Sequence, residues 1–497
     1  MEYALGGMEM FGKKKQTAVR NPSISTPVSL DELKKSLANM TDAQIDEHET
    51  ISGIKVKLIY IKSLIDNERL NEAIVRPLIH DRSITVNEAI FSSIKVKIDT
   101  MDDANMSLLN GHIILYEVIS NQWWAVPLPS PLSRSIESSE TETILYGAKD
   151  SFSEQIDQNL TLIRRRLPIM ELKNETYTVG TLSKTTMFLL YIDGLTNPDF
   201  ITNAKEEINK IDYDFFSDSS LISAFMESSN ISVFPQFQQT DRPDVCARAL
   251  GLGQLVILIN NTPFALIAPV TVFDLFKSPE DYINRWVVAS FLRIIRYMSF
   301  FLSIVLIPLY VALTTYHFQM IPLQMLFVLT ESRSKLPFTP FWEAFIMLVI
   351  LEIIKEASLR MPTKSSQTLG VIGGIVIGQA SVEAGFASKI LIVLVGIAAI
   401  ASFLVPNYLL TKASTLIQFI LLFMASQLGI IGIIIGLIGI IAHLNALTSL
   451  KQPYLAPVAP FHMKDWTDVF IRGPVVKAKE RPEYLLPLKK WRTSRRN

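Results

Sequence analysis

The chain has 497 residues, with 47 basic and 47 acidic side chains, 49% apolar residues and one cysteine. A formal net charge of zero removes any whole-chain electrostatic case for nucleic acid, and Cys246 alone excludes a disulfide framework or a cysteine-rich metal site. Mean hydropathy is +0.29 and only 19% of residues are charged, below the roughly 25% of ordinary soluble domains, so some apolar residues are expected to face lipid. The six histidines never fall at i, i+4 spacing, so a zinc helix of the HExxH type is absent. No metal or other cofactor is expected.

Residues 1–44 read as a flexible lead, basic and Ser/Pro-containing from Met1 to Leu30. Met1–Lys15 shows no apolar core followed by a small-residue cleavage site, so no signal peptide is expected and the soluble part is assigned to the cytoplasm. Charges every few positions up to residue 285 predict a soluble α/β region of two related subdomains, 45–175 (with a linker) and 176–285. The string Val56–Leu64 resembles Met187–Leu195, with the Tyr-Ile-x-x-Leu core recurring 131 positions later. Each is followed by a helix-like segment and a hairpin. In the first copy Ile113–Val118 and Trp123–Pro127 flank Ser120-Asn121; in the second Leu255–Ile259 and Phe264–Ala268 flank Asn260-Asn261, a type I′ turn pair.

No P-loop, Rossmann glycine fingerprint or Gly-x-Ser-x-Gly elbow occurs, so the chain is not expected to be an enzyme. Arg164, Arg165 and Arg166 have two readings, a helix lying on anionic headgroups or a solvated face with internal ion pairs. Asp241, Arg242 and Asp244 read as an ionic loop staple ahead of a phosphate clamp.

Residues 286–450 predict a helical polytopic membrane domain. Met298–Tyr316, Ile390–Leu410 and Ala413–Leu444 qualify as spans by length and apolarity, the last as one long tilted helix. Leu369–Ser388 carries Gln379 and Glu383; Phe341–Leu359 is interrupted by Glu343, Glu352, Lys355 and Glu356. From Lys451 on, the basic tail 451–497 holds eleven Lys and Arg against four Asp and Glu, which places it in the cytoplasm. With both termini there, about four spans plus a re-entrant or buried helix, Phe341–Leu359, fit the parity. Gly370, Gly374, Gly378, Ser381 and Gly385 form one small-residue face, and Gly432 and Gly436 another; these are packing seams, within one protomer or between copies. Gln379, Glu383, Glu352, Glu356 and Gln427 are the candidate pore or gating residues, and Gln418 lies in the same long helix. They supply either internal hydrogen bonds or a cation-preferring polar path.

Several strings together resemble the GerA family, the A subunits of bacterial spore germinant receptors. They are Phe152-Ser153-Glu154, Asn159–Arg166, Phe234-Pro235, Thr240–Asp244, Glu280-Asp281-Tyr282, Ile307–Leu313, Glu356–Pro362, Gly378–Gly385 and Pro453–Pro457. Asp241 stands where the family often has Glu, and Ser358 where Gly is common. The resemblance implies a nutrient-sensing subunit in the spore inner membrane, partnered by a transporter-like B subunit and a lipoprotein C subunit. It also implies a homo-oligomer that contributes an ion-release path and triggers germination. A secondary transporter and a later-acting A-type accessory protein of the germination machinery are the alternatives; transporters usually carry their internal repeat in the membrane half, whereas here it lies in the soluble half.

Overall fold

The computed structural model describes residues 26–50, 53–80, 95–131, 139, 142, 144, 146–334, 336–360 and 378–492. The chain divides into two compact units, Met1–Pro131 and Leu132–Asn497.

In the first unit, helix α1 (Leu30–Ser36) precedes strands β1 (Ala43–Glu49) and β2 (Lys55–Ile61). Asp66 then caps α2 (Asn67–Leu70) by accepting from the backbone N–H groups of Glu68 and Arg69. The helix passes through a π turn (Asn71–Val75) into α3 (Arg76–His80). Pro77 stands just after that turn and has no N–H to give back to the preceding turn, a reason for the ladder to shift there. Strand β3 (Val96–Lys97), helix α4 (Met101–Leu109) and the hairpin β4 (His112–Glu117) and β5 (Gln122–Pro127) complete the unit. The sheet runs β1-β2-β4-β5-β3. Val56, Leu58 and Tyr60 alternate along β2 and pack with Leu70, Ile74 and Leu78 of the helical segment.

The second unit begins with α5 (Ile156–Arg166), β6 (Leu172–Val179), β7 (Thr185–Ile192), α6 (Pro198–Asn209) and α7 (Ser219–Met226). It continues with β8 (Gln238–Thr240), α8 (Pro243–Leu252), β9 (Leu255–Ile259), β10 (Ala265–Ala268) and the short α9 (Glu280–Ile283). Its sheet runs β6-β7-β9-β10-β8. Strand for strand this is the order of the first sheet, so the two α/β units share a topology as well as the Tyr-Ile-x-x-Leu string. Phe188, Leu190 and Ile192 face α5 and α8, whereas Met187, Leu189 and Tyr191 face α6 and α7. The period of two in β7 thus buries both faces.

Three sequence expectations change. Each sheet has a leading strand, β1 or β6, outside the two similar strings. The Asn260-Asn261 hairpin is not a two-residue type I′ turn: only Asn261 has a left-handed φ, 66°, and the pairing closes at Leu266↔Ile257. The largest change is in the last membrane segment, which is not one tilted helix. It is a hairpin of α15 (Tyr408–Leu428) and α16 (Ile430–Ala446), numbered after α10 (Trp286–Thr315), α11 (Leu323–Arg333), α12 (Pro340–Leu359), α13 (Gly378–Glu383) and α14 (Lys389–Phe403). The reversal rests on Gly429, at φ 64° and ψ −139°, a region essentially restricted to glycine. A Cβ at Gly432 would lie 2.2 Å from the Met424 carbonyl oxygen, and one at Gly436 2.4 Å from a Leu421 methyl carbon. This seam therefore packs one helix of the chain onto the next.

By length and composition α10 and α15 are apolar and long enough to cross a membrane, and α14 and α16 are shorter apolar helices. The segment after Ala446 is a packed strap. Ser449 Oγ donates to the Gln236 carbonyl (2.6 Å), Tyr454 Oη to the Pro235 carbonyl (2.6 Å), and Tyr484 and Leu485 are buried under the second sheet.

Gly432→Ala is expected to lower the stability of the detergent-solubilised chain by about 1–3 kcal/mol through overpacking, and Gly429→Ala by a similar amount through backbone strain. Gly439, whose Cβ would meet nothing within 4 Å, is the control. Thermal unfolding that ranks Gly439→Ala with the other two would contradict the hairpin.

Candidate functional site

The helical bundle separates its polar groups by partner. On α12, Glu352 and Glu356 lie one turn apart and meet cations rather than an open path. Glu356 pairs with Arg360 at 2.8 Å and with Lys412 of α15 at 3.3 Å, and Glu352 pairs with Lys355 and Lys412, both at 3.6 Å. Near the other end of α12, Glu343 is fully buried; its Oε1 accepts from the Ser388 N–H at 2.6 Å and its Oε2 lies 3.6 Å from Arg333. Ser388 Oγ in turn meets Tyr310 Oη at 3.2 Å. The charges that interrupt Phe341–Leu359 thus fall toward its two ends, each with a partner there.

Gln379 and Glu383 lie on α13, both exposed, with Gln379 Nε2 donating to Glu383 Oε1 at 3.3 Å. Among the described residues no basic group is at ion-pair distance from Glu383. A Cβ at Gly378 would lie 3.8 Å from a methyl carbon of Ile392 of α14, Ser381 is half-buried, and Gly385 ends the turn at φ 70°. Gly370 and Gly374 lie outside the described residues. Gln427 is exposed at the end of α15 with its Nε2 donating to the neighbouring Ser426 Oγ (3.4 Å), whereas Gln418 is buried with Nε2 unpartnered among the described residues.

The soluble candidates are fold-building groups. Arg164 is buried and donates to the Leu172 carbonyl and Asn174 Oδ1, and Arg166 is bonded to Asp150; Arg165 is also engaged. Arg242 is buried, donates to the Ala148 carbonyl and Asp244 at 2.9 Å each, and Asp241 accepts from Ser139 Oγ at 2.9 Å. The Asp241–Asp244 string is therefore a staple for the segment ahead of α5. It also sets the state of Glu142, whose carboxyl is pushed up to about 7 by burial and then by Asp241.

A denser cluster joins the second sheet to the first long helix. Asp281 of α9 is 1% exposed and accepts from Arg293 Nε at 3.1 Å and from Arg296 Nη1 at 2.8 Å. Arg293 Nη1 also donates to Asp468 of the strap at 3.0 Å, and Arg472 donates to the Asp281 carbonyl. Lys277 reaches Asp274 at 2.9 Å and Asp468 at 3.6 Å. Burial alone would lower the Lys277 ammonium, but these two carboxylates hold it well above its ordinary range. Arg293 and Arg296 at i, i+3 on an otherwise apolar helix were the available signal for this cluster; Asp468, from the strap, had none.

The Bacillus/Clostridium GerA spore germination protein family matches residues 31–484. Spore germination protein GerLA of Bacillus cereus is 35% identical over 427 residues, covering 86% of this chain and 85% of that protein. GerQA of Bacillus cereus is 33% identical over 480 residues, covering 96% and 94%. The crystal structure of the N-terminal domain of the A subunit of the Bacillus megaterium spore germinant receptor GerK3 aligns with 48% of this chain and 92% of that chain. Identity there is 23% with a TM-score of 0.37, too low to carry a structural argument.

Removing one partner from a buried ion pair strands the other, at a cost of about 3–5 kcal/mol. Asp281→Asn and Arg293→Gln are each expected to destabilise the solubilised chain by that order, and the double variant by less than the sum; additive losses in denaturant unfolding would contradict the coupling. Glu142 titrates higher folded than unfolded, so its protonated form favours folding. That contribution is present below the ordinary glutamate range and is lost as pH rises through about 7. Wild type is expected to lose melting temperature relative to Glu142→Gln between pH 5 and 8, and a pH-independent gap would contradict the assignment.

Proposed function

The chain belongs to the GerA family of spore germination proteins, and on that premise we propose that it is the A subunit of a nutrient germinant receptor. In this reading it works beside a transporter-like B subunit and a lipoprotein C subunit, in the inner membrane of the spore. The observation that carries the reading is the whole-chain likeness to proteins named for spore germination, which spans the soluble sheets, the helices and the strap alike.

The proposed role in the membrane is a share of an oligomeric ion-release path. Helix ends support the layout. Tyr316 Oη donates to the Ser426 carbonyl at 2.9 Å, so α10 and α15 finish at the same end of the bundle. Lys355 lies 3.5 Å from Ser402, so α12 and α14 both finish at the opposite end, where α15 starts beside Glu352 and Glu356. With α16 returning along α15, these helix ends support an even number of passes with both termini on the cytoplasmic side.

Of the candidate path residues, Glu383 supports the role best. It is an exposed carboxylate beside Gln379 with no cation near it among the described residues, and lipid exposure of such a charge costs about 2.5–3.5 kcal/mol on insertion scales. It therefore faces water or another subunit. Glu352 and Glu356 have their charge met by Lys355, Arg360 and Lys412, which supports a bundle-stabilising part for them.

Reporters fused near Asp31 and after the last residue are both expected to read cytoplasm; opposite locations would sink the even number of passes. Glu383→Gln is expected to leave the complex assembled while slowing cation release after nutrient addition. Normal release by an assembled Glu383→Leu variant would remove Glu383 from the path.

A further inference from the structure

The connection from α7 to β8 contains the string Ser228-Ser229-Asn230-Ile231-Ser232-Val233. Ile231 is 95% exposed, and Val233 is exposed as well. The polar residues around them are tied down by Gln236, whose side chain is buried. Its Oε1 accepts from the Ser228 N–H at 2.7 Å, its Nε2 donates to the Ser229 carbonyl at 3.0 Å, and its own backbone N–H donates to the Glu227 carboxylate at 3.1 Å. On the other side of Ile231, Ser232 Oγ accepts from the Phe234 N–H at 3.1 Å. These bonds fix the backbone on both sides of an isoleucine that is turned outward. Single exposed apolar residues are ordinary on any protein surface; what sets this one apart is where its loop is pinned.

The loop is held at the end of α16. Ser232 Oγ lies 3.0 Å from His443 Nε2, and Ser228 Oγ lies 3.0 Å from the Thr448 carbonyl oxygen. Along α16, Ile431, Ile435, Gly439 and His443 follow at four-residue steps, which puts them on one face, and all four are exposed. The level at which this face ends can be read from the neighbouring helix. A Cβ at Gly436 would meet Leu421 of α15, so the antiparallel pair brings His443 beside Ser414, two residues inside Lys412. Lys412, paired with Glu352 and Glu356, belongs to the charged end of the bundle. The apolar face of α16 therefore runs out where the charged end begins, and Ile231 stands at that boundary.

We propose that the 228–233 loop is a lipid anchor for the second sheet, with Ile231 and Val233 seated at the headgroup–acyl boundary of the cytoplasmic leaflet beside α16. Apolar groups that bind such an interface seat about 5–10 Å into it, and the serines and Asn230 are polar enough to stay among the headgroups. Ile231 prolongs a face that α16, as a span, already gives to lipid, so the bilayer covers both without a further partner. The anchor would hold the sheet against the membrane at a second point besides the Asp281 cluster at the head of α10. It rests on α16 crossing the membrane and is independent of the ion path.

The test uses the full chain in nanodiscs of phosphatidylcholine and phosphatidylglycerol, with a nitroxide on one introduced cysteine at a time: Ile231→Cys, Ile435→Cys on α16, and Lys210→Cys just after α6. All three sites are exposed, so folding is not at stake, and wild type is the labelling blank because Cys246 is buried. Collision of the nitroxide with oxygen, which concentrates among acyl chains, is compared with collision with a water-soluble nickel chelate. The label at position 231 is expected to favour oxygen, as at 435, while the label at 210 favours nickel. A nickel preference at 231 with an oxygen preference at 435 would overturn the anchor and leave the span intact. A nickel preference at both would overturn the span, and the anchor with it. A label at 231 shielded from both reagents would also overturn the anchor, because a protein surface, from a second copy or another subunit, would then cover the loop.

Discussion

The carboxylate of Asp281 is the constraint on which the second unit depends. A charge removed from water is tolerated only when its partners are close and well directed, and here they come from separate parts of the chain. Arg293 and Arg296 belong to the first long helix and Asp281 itself to the end of the soluble sheet domain, while Arg472 of the C-terminal strap donates to the Asp281 backbone carbonyl beside them. One acidic group therefore fixes the entry angle of α10, the seat of the strap and the position of the sheet together. Asp468 repeats the device from the strap side, drawing Arg293 and Lys277 onto the same spot.

Within the bundle, paired and unpaired charge are kept apart. Glu343 is held by Ser388 and Arg333 near one end of α12, and Glu352 and Glu356 by Lys355, Arg360 and Lys412 at the other. These interactions tie α12 to α14 and α15. Glu383 belongs to neither set. Its only polar partner among the described residues is the neutral Gln379.

Much of the architecture was legible from periodicity. β7 buries both faces because apolar residues occupy both alternations, and the hairpin strands of both sheets fall within a residue or two of where their apolar runs stand. What was not legible had a physical cause in each case. β1 reads Ala-Gln-Ile-Asp-Glu-His-Glu, a charged edge strand that no hydrophobic pattern reveals. Gly429 sits in a run that is apolar but for Ser426-Gln427 just before it, a polar mark too slight to signal a turn between two apolar helices. The strap buries Tyr454, Tyr484 and Leu485 at wide, irregular intervals among prolines and lysines, so composition alone makes it a basic tail. For the polar candidates, spacing exposed the Glu356–Arg360 pair. Lys412, 56 positions away from Glu356, entered only through folding.

The one-residue reversal at Gly429 has a consequence for biogenesis. Helices joined by a long loop enter a bilayer one after the other, because the loop waits in water while the second segment is made. Between Leu428 and Ile430 there is no such loop, and the Gly432 backbone already lies against Met424. α15 and α16 therefore behave as one packed unit in any environment, and the strap leaves that unit directly for the face of the sheet it covers.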